Sequence, residues 1–318
     1  MGWSPERLTP LLNLAARYKR LLSQKEAIRT KIPLNLLTLF FEPSTRTRLS
    51  FECAAHRLGL NVLTMADAVH ESSSRKGETL EDMARIVSAY ADVVVIRHPE
   101  LGSALRFSTG ATVPVINAGD GPGEHPTQSL VDLFTIREAY GALKGLRVGL
   151  CGDLRYGRTI HSLLQLLLAF ECEVIVIAPE ELGIPREVLQ RLPPNHNGLR
   201  ANPDLKGVLP DLDVLYMTRI QKERFHDIDV YERIRSIYRL TAGDLEQAPD
   251  HLRVLHPLPR VDEIASDVDA SSRALYFTQS ANGVPVRMAL LSAILGSESF
   301  VVPEDLFSAM AGTAGGTA

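Results

Sequence analysis

The sequence contains few cysteines. Cys53, Cys151 and Cys172 are the only three in 318 residues, and they lie far apart in the chain. No two of them have the short spacing of a metal-binding pair, so no metal site is expected from them. They indicate a protein of a reducing compartment, and Cys53 and Cys172 are interpreted as small core residues.

Long apolar runs are also missing. No stretch reaches the roughly 18 apolar residues of a membrane-spanning helix. The N-terminal sequence MGWSPERLTPLL lacks the basic-then-apolar order of a signal peptide, which predicts a cytoplasmic protein with no membrane partner. The net charge of −4 argues against a nucleic acid partner, so any anion site has to be built locally from a few cationic side chains.

Apolar strands alternate with amphipathic helices along most of the chain. The hydrophobic share of 45% and the charged share of 23% are those of a globular protein, and the length suggests about two domains. The strand-like segments are 34–41, 61–65, 92–98, 113–119, 146–153, 172–179, 213–219 and 253–259. Helix-like stretches include 78–91, 127–140, 158–170 and 286–295. This alternation predicts an α/β fold with parallel sheets covered on both faces, and 140–146 is interpreted as a linker between two halves.

Polar residues follow the ends of several predicted strands. These endings are EPSTRTR (42–48), RHP (97–99), GDGPGEHPTQ (119–128), GDLRYGRT (152–159), TRIQKERF (218–225) and HPLPR (256–260). Ligands bind at the carboxyl ends of the strands in open parallel sheets. The endings therefore predict one cleft between two domains, lined by Arg, His, Thr and Gln side chains.

The segment FFEPSTRTRLSFE (40–52) carries the densest polar cluster. Ser44, Thr45, Arg46 and Thr47 lie where an apolar strand gives way to a helix pattern. A helix N-terminus offers unpaired N–H groups and a partial positive charge, to which hydroxyl and guanidinium groups add donors. This combination favours a phosphate site. An ordinary Ser/Thr helix cap with solvated arginines is the alternative.

Two further endings offer polar groups at helix starts. Pro126 restricts His125 to an extended or turn conformation, so Thr127 is predicted to cap the next helix while His125 and Gln128 face a cleft. The turn before Arg158 lacks the full Gly-x-Gly-x-x-Gly spacing of a dinucleotide site, so Arg158 is interpreted as an anion receptor.

The remaining polar segments have solvent-exposed alternatives. Arg97 and the pair Arg219 and Gln221 follow strands, where solvated charges are also common. The prolines of HPLPR fix the backbone around Leu258, whose carbonyl groups could accept from an NH2 group. HESSSRKGE (70–78) is a polar loop that solvation alone would explain, although loops on rigid scaffolds often carry function.

Taken together, these motifs resemble the aspartate carbamoyltransferase family. The resemblance extends from about residue 34 to about residue 296 and keeps the motifs in the family's order. The related ornithine carbamoyltransferases share the Ser-Thr-Arg-Thr-Arg signature. They typically have His-Cys-Leu-Pro in place of residues 256–259 and lack the Arg219-x-Gln221 pattern. Residues 1–33 and those beyond 300 carry no resemblance.

The resemblance implies a fold and a division into domains. The implied fold is the aspartate/ornithine carbamoyltransferase fold, two doubly wound parallel-sheet domains with the active site in the cleft between them. Residues 1–140, completed by a C-terminal helix 284–305, are expected to bind carbamoyl phosphate, and 141–283 are expected to bind aspartate. Residues 306–318 are expected to form a flexible tail, since their small side chains bury little surface.

The resemblance also implies a reaction. The carbamoyl group of carbamoyl phosphate passes to the amine of L-aspartate, giving N-carbamoyl-L-aspartate and phosphate early in de novo pyrimidine biosynthesis, without a metal or cofactor. A related transferase with another amino-acid acceptor and a non-catalytic scaffold that binds partner chains are the two alternatives.

Site residues follow from the same resemblance. It assigns carbamoyl phosphate to Ser44, Thr45, Arg46, Thr47, Arg97, His125, Gln128, Leu258 and Pro259. It assigns aspartate to Ser72, Lys76, Arg158, Arg219 and Gln221. The catalytic residues among these are Arg46, Thr47, Lys76, Arg97 and His125. Ser72 and Lys76 are expected to reach the site of a neighbouring subunit, which implies a homotrimer with shared sites and leaves open a larger assembly with regulatory or other pyrimidine-pathway chains.

Overall fold

The computed structural model forms two compact units. It describes residues 4–26, 28–68, 77–192, 198–220, 231–232, 234 and 237–301. One unit comprises Met1–Leu130 with Asn282–Ala318, and the other comprises Val131–Ala281.

Helices and strands alternate in both units. In chain order, the elements of the N-terminal part are α1 (Pro5–Gln24), β1 (Arg29–Thr30), β2 (Asn35–Phe40), α2 (Thr45–Leu58), β3 (Asn61–Met65), α3 (Leu80–Val87), β4 (Val93–His98), α4 (Ser103–Gly110), β5 (Val115–Asp120) and α5 (Pro126–Tyr140), which extends across the first boundary. The elements that follow are β6 (Arg147–Cys151), α6 (Arg158–Ala169), β7 (Glu173–Ile177), α7 (Arg186–Leu189), β8 (Leu199–Ala201), α8 (Leu205–Val208), β9 (Val214–Met217), α9 (Ala242–Leu245), β10 (Arg253–Leu255), α10 (Tyr276–Leu295) and β11 (Phe300–Val301).

The first unit is built on a four-stranded parallel sheet in the order β3-β2-β4-β5. Its central strands are apolar on both faces, and Leu36, Leu39 and Val93–Ile96 are fully buried. Helix α2 ends at Leu58, before Gly59, whose φ of 83° lies in the left-handed region that ends many helices. A separate antiparallel pair joins β1 to β11.

The second unit has a five-stranded parallel sheet in the order β10-β9-β6-β7-β8. All four residues of β9 are buried, as expected for a central strand covered by helices on both faces. One apolar cluster extends from β6 and β7 through β9 to β10 and includes the fully buried Leu212, Leu240 and Leu252. The predicted α/β fold with parallel sheets is confirmed.

Differences from the predicted elements have local causes. The strand predicted over 253–259 ends at Leu255, because Pro257 and Pro259 cannot donate to a sheet. The short strands β1, β8 and β11 were not predicted, since a segment of two or three residues is too short to show a hydrophobic periodicity.

The C-terminal helix also differs from its predicted range of 284–305. It begins earlier than residue 284, at Tyr276, and contains Pro285 in its interior. It ends at Leu295, before Gly296 with a φ of 83°.

Over the residues that the structure describes, no helix is long and apolar enough to cross a membrane.

Candidate active site

The N-terminus of α2 is the centre of the first unit's polar cluster. Ser44 occupies the N-cap position, yet its side chain makes no cap hydrogen bond. Its hydroxyl instead accepts from Nη1 of Arg97 at 3.2 Å. Ser44 is therefore the N-cap residue by position, while its hydroxyl pairs with the Arg97 guanidinium and not with the helix N–H groups.

Adjacent parallel strands bring Arg97 to this helix terminus. Phe40 at the end of β2 lies beside Arg97 in β4. Nε of Arg97 donates to Oε2 of Glu42 at 3.1 Å, and the arginine side chain is 14% exposed. Glu42 was not among the predicted site residues, although it lies within the same strand ending. Its carboxylate compensates the arginine charge and orients the guanidinium.

His125 and Thr47 meet in the same unit. Nε2 of His125 lies 3.4 Å from Oγ1 of Thr47, and both residues are buried. His125 directly precedes α5, which starts at Pro126. The helix start that carries STRTR and the turn that carries HPTQ are thus in direct contact.

Thr127 does not cap α5 as predicted. The helix begins one residue earlier, so Thr127 lies inside its first turn. Proline is preorganised for the first helical position, and this moves the start of the helix to Pro126. The Thr127 hydroxyl is buried with no hydrogen-bond partner among the described residues.

Other predicted residues of the first unit lie on the same two helix starts. Thr45 and Arg46 form the first turn of α2 and are exposed, and Gln128 lies in the first turn of α5 and is half-buried. Partial desolvation lowers the pKa of Arg46. A guanidinium nevertheless keeps its proton in proteins. These groups form a set of hydrogen-bond donors and cationic charge suited to an anion.

In the second unit, Arg158 and Arg219 follow neighbouring strands. Arg158 is the first residue of α6, which follows β6, and Arg219 lies two residues after β9. The two strands pair in parallel, with Cys151 beside Met217. The ends of both strands are packed closely, since a Cβ atom on Gly152 would lie 2.4 Å from the carbonyl oxygen of Thr218. Both half-buried arginines therefore belong to one edge of the sheet.

The segment after β10 holds Leu258 and Pro259 in a fixed conformation. Leu258 has a φ of 54°, in the left-handed region that residues other than glycine rarely adopt, and its bond to Pro259 is cis. The imidazole of His256 contacts both the Leu258 N–H and the carboxylate of Glu263. Neither His256 nor Glu263 was singled out from the sequence. The only local signal was the position of His256 inside the HPLPR motif.

A buried carboxylate anchors the same segment from a second direction. Oδ1 of Asp132 accepts from Nε2 of Gln279 at 2.6 Å, and Oδ2 accepts from the Tyr216 hydroxyl at 2.8 Å. Oε1 of Gln279 accepts from the backbone N–H of His256 at 2.8 Å. Burial, together with the nearby Asp132, raises the pKa of Tyr216, so its hydroxyl remains a donor.

Several predictions lie outside the described residues. They concern Ser72 and Lys76 in the 70–78 loop, Gln221 in the aspartate set, and the tail 306–318. Among the residues that are described, no group of three or more His, Cys, Asp and Glu side chains could hold a metal ion.

Two family models match successive parts of the chain. The model described as "Aspartate/ornithine carbamoyltransferase, carbamoyl-P binding domain" matches residues 1–138, so it includes residues 1–33, for which the motifs indicated no resemblance. The model described as "Aspartate/ornithine carbamoyltransferase, Asp/Orn binding domain" matches residues 144–294.

Individual relatives agree with these models. The aspartate carbamoyltransferase catalytic subunit of Thermococcus gammatolerans is 49% identical over 90% of this chain and 92% of its own length. The crystal structure of the M. jannaschii aspartate transcarbamoylase catalytic subunit is 44% identical, with a TM-score of 0.85 over 92% of this chain and 95% of its own. The Trypanosoma cruzi aspartate transcarbamoylase, solved in complex with N-(phosphonacetyl)-L-aspartic acid, is 38% identical, with a TM-score of 0.87 over 92% of this chain and 94% of its own.

Proposed function

The chain belongs to the aspartate/ornithine carbamoyltransferase family, and we propose from this premise that it transfers the carbamoyl group of carbamoyl phosphate to the amine of L-aspartate. The products are N-carbamoyl-L-aspartate and phosphate, an early step of de novo pyrimidine biosynthesis. The observation that carries the proposal is the convergence of the α2 N-terminus, Arg97 and His125 in one unit. Aspartate is proposed as the acceptor because the similar proteins are aspartate carbamoyltransferases and because Arg158 and Arg219 share one sheet edge.

The first unit supplies the side chains that bind the phosphate and the carbonyl oxygen of carbamoyl phosphate. Ser44, Thr45, Arg46, Thr47 and Arg97 bind the phosphate of carbamoyl phosphate. His125 and Thr47 lie near its carbonyl oxygen, where negative charge develops as the amine attacks. Removing one preorganised donor of this kind typically costs about 2.7–4 kcal/mol of transition-state stabilisation.

The two substrates alone account for the bond that forms, the bond that breaks and the proton that is transferred. The aspartate amine forms a new C–N bond with the carbonyl carbon, and the bond from that carbon to the phosphate oxygen breaks. The departing phosphate takes the electron pair and is a suitable acceptor for the proton that the amine loses. Gln128 and the Leu258 backbone hold the carbamoyl NH2 group, and Pro259 completes this binding set.

Aspartate binding is assigned mainly to the second unit. Arg158 and Arg219 pair with its two carboxylates, a contact for which the planar guanidinium is well suited. Gln221 joins them, and Lys76 offsets the repulsion between the two anionic substrates. In this proposal residues 1–140 with 284–305 form the carbamoyl phosphate domain and 141–283 the aspartate domain, in a cytoplasmic enzyme.

Activity of the purified chain tests the reaction. Carbamoyl phosphate and L-aspartate are expected to yield N-carbamoyl-aspartate, while L-ornithine in place of aspartate should give little product. Faster carbamoylation of ornithine would support the related-transferase alternative. Absence of product from every amino acid, with carbamoyl phosphate still binding, would favour the non-catalytic scaffold.

Subunit sharing is proposed for Ser72 and Lys76, which enter the neighbouring site of a homotrimer. Lys76→Ala and Arg46→Ala chains should each be almost inactive alone. After they are dissociated and reassembled together, some hybrid sites would combine an intact Arg46 with an intact Lys76, and activity should return. Verified hybrid trimers as inactive as their parents, or a fully active monomer, would rule out sharing.

A further inference from the structure

The segment that carries Leu258 is held by a buried histidine–glutamate pair. Nε2 of His256 lies 2.7 Å from Oε1 of Glu263, and the two side chains are 1% and 4% exposed. The other ring nitrogen, Nδ1, lies 2.8 Å from the backbone nitrogen of Leu258. One imidazole therefore connects the carboxylate to the backbone of the proposed NH2-binding residue.

These contacts fix the protonation of the ring. A backbone N–H can only donate, so Nδ1 of His256 must accept the hydrogen bond from Leu258. The ring proton then resides on Nε2 and is donated to Glu263. A second ring proton, or the opposite tautomer, would place two N–H groups against each other.

Glu263 is the common acceptor of this segment. Its Oε2 accepts from the backbone N–H groups of Val261 and Asp262, both at 3.1 Å, while Oε1 faces His256. Burial alone would raise the pKa of Glu263, but the contacts with His256 and the backbone N–H groups lower it overall. The carboxylate thus stays ionised, and three donors are distributed over its two oxygens.

Hydrogen bonds anchor this segment at several points along its length. Leu258 has an unfavourable φ of 54°, and such a conformation persists only where the surroundings over-determine it. The segment is fixed at its start by Gln279, which accepts from the His256 N–H, and then at Leu258, Val261 and Asp262 through the His256–Glu263 pair. None of the three anchoring side chains, those of Gln279, His256 and Glu263, is among the residues expected to contact substrate.

We propose that His256 and Glu263 are positioning residues that hold the Leu258 backbone in place to accept from the carbamoyl NH2 group. This inference rests on the proposed reaction, because the NH2 group belongs to carbamoyl phosphate. Neither side chain acts on substrate directly. Substitution of either residue should consequently weaken the binding of carbamoyl phosphate. The binding of inorganic phosphate, which has no NH2 group, should not be weakened.

Two substitutions of His256 separate its two contacts. In His256→Asn the amide oxygen takes the place of Nδ1, so the Leu258 N–H keeps an acceptor while Glu263 loses its donor. In His256→Gln the amide nitrogen takes the place of Nε2, so Glu263 keeps a donor while Leu258 loses its acceptor. His251→Asn is the matched control, since His251 also pairs with a carboxylate, that of Asp213, but is 52% exposed.

The two variants should rank in opposite orders for stability and for binding. His256→Asn should be the less stable in thermal unfolding, because Oε1 of the buried Glu263 carboxylate loses its hydrogen-bond donor. His256→Gln should bind carbamoyl phosphate more weakly, by about 10-fold relative to the wild type, with inorganic phosphate affinity changed less than about 2-fold. The control should match the wild type in both ligand affinities, measured by calorimetry.

Glu263→Gln provides an independent variant. A neutral amide offers one oxygen where three donors converge, so either His256 or the two backbone N–H groups lose their acceptor. A similar selective loss of carbamoyl phosphate affinity is expected. In the unmodified protein, nitrogen-15 NMR should show His256 as the neutral tautomer with its proton on Nε2, and a doubly protonated ring would overturn the proposal whether or not any variant folds.

The remaining outcomes distinguish a failure of the positioning role from a failure of the proposed reaction. Loss of binding that follows loss of stability, or equal weakening of phosphate and carbamoyl phosphate, would show a merely structural role and overturn the proposal. If the unmodified protein forms no N-carbamoyl-aspartate and binds carbamoyl phosphate no more tightly than phosphate, the proposed reaction fails. If the wild type is active but the variants lose affinity for both ligands equally, only the positioning role is refuted.

Discussion

Polar side chains are held differently in the two units. In the first unit, Arg97 contacts Glu42 and Ser44 at 3.1 and 3.2 Å, and His125 lies 3.4 Å from Thr47. In the second unit, the contacts around Asp132 and His256 measure 2.6–2.8 Å between groups that are buried, except at the half-buried Leu258.

The difference fits the kind of group that each unit presents. Arginine and hydroxyl side chains can rotate and tighten around an anion, and catalytic contacts are often long before the ligand binds. A backbone carbonyl cannot rotate independently of its chain, so a surrounding network has to fix it. The side chains at the α2 N-terminus are thus expected to gain order from their ligand, whereas the Leu258 segment holds its backbone acceptor beforehand.

The largest loss of activity is expected from a substitution at the proposed phosphate site of the first unit. Arg46→Ala should lower kcat/KM by about 100- to 1000-fold, because a charged donor to the phosphate is lost. Steady-state kinetics with carbamoyl phosphate varied would measure it. The exposed Arg85→Ala in α3 is the control and should stay near wild type. Near-normal turnover and carbamoyl phosphate affinity in Arg46→Ala would disprove the assignment of the phosphate site.

His125→Ala should have the next largest effect. If His125 stabilises charge on the carbonyl oxygen, kcat should fall by about 100-fold while inorganic phosphate binds as before. Single-turnover kinetics and calorimetry separate the two quantities. Lost phosphate binding with unchanged turnover at saturation would mean that His125 binds substrate and does not stabilise the transition state.

Arg219→Ala should weaken the binding of only one substrate, aspartate. Loss of a charge-assisted contact of about 1.5–3 kcal/mol corresponds to an aspartate requirement raised by about 10- to 100-fold. Carbamoyl phosphate affinity should change little, since its phosphate ligands belong to the other unit. Equal weakening of both ligands would contradict the proposed division between the units.

The smallest effect is expected for an exposed ion pair. Lys144 and Glu171 are 2.8 Å apart, but their side chains are 73% and 66% exposed. Lys144→Ala should therefore change the free energy of unfolding by less than about 1 kcal/mol, measured by denaturant titration. A larger loss would mean that solvent exposure is a poor guide to which contacts hold the second unit.

Local sequence patterns were sufficient for most strands and for the placement of the polar residues after them. The apolar run before Ser44 and the turn before Pro126 predicted where the two helix starts of the first unit would lie. The prediction failed where one residue shifts a helix, as at Thr127, or where an element is only two or three residues long, as with β1 and β8.

The sequence by itself determined the alternation of strands and helices and the residue types at each strand end, because both depend on periodicity and turn chemistry within a few neighbouring residues. Only the tertiary structure decided which of these groups pair. Ser44 is joined to Arg97 across 53 positions, and Asp132 to Gln279 across 147. Such partners are selected by sheet order and burial, since a polar group removed from water must find a partner wherever the packing places one.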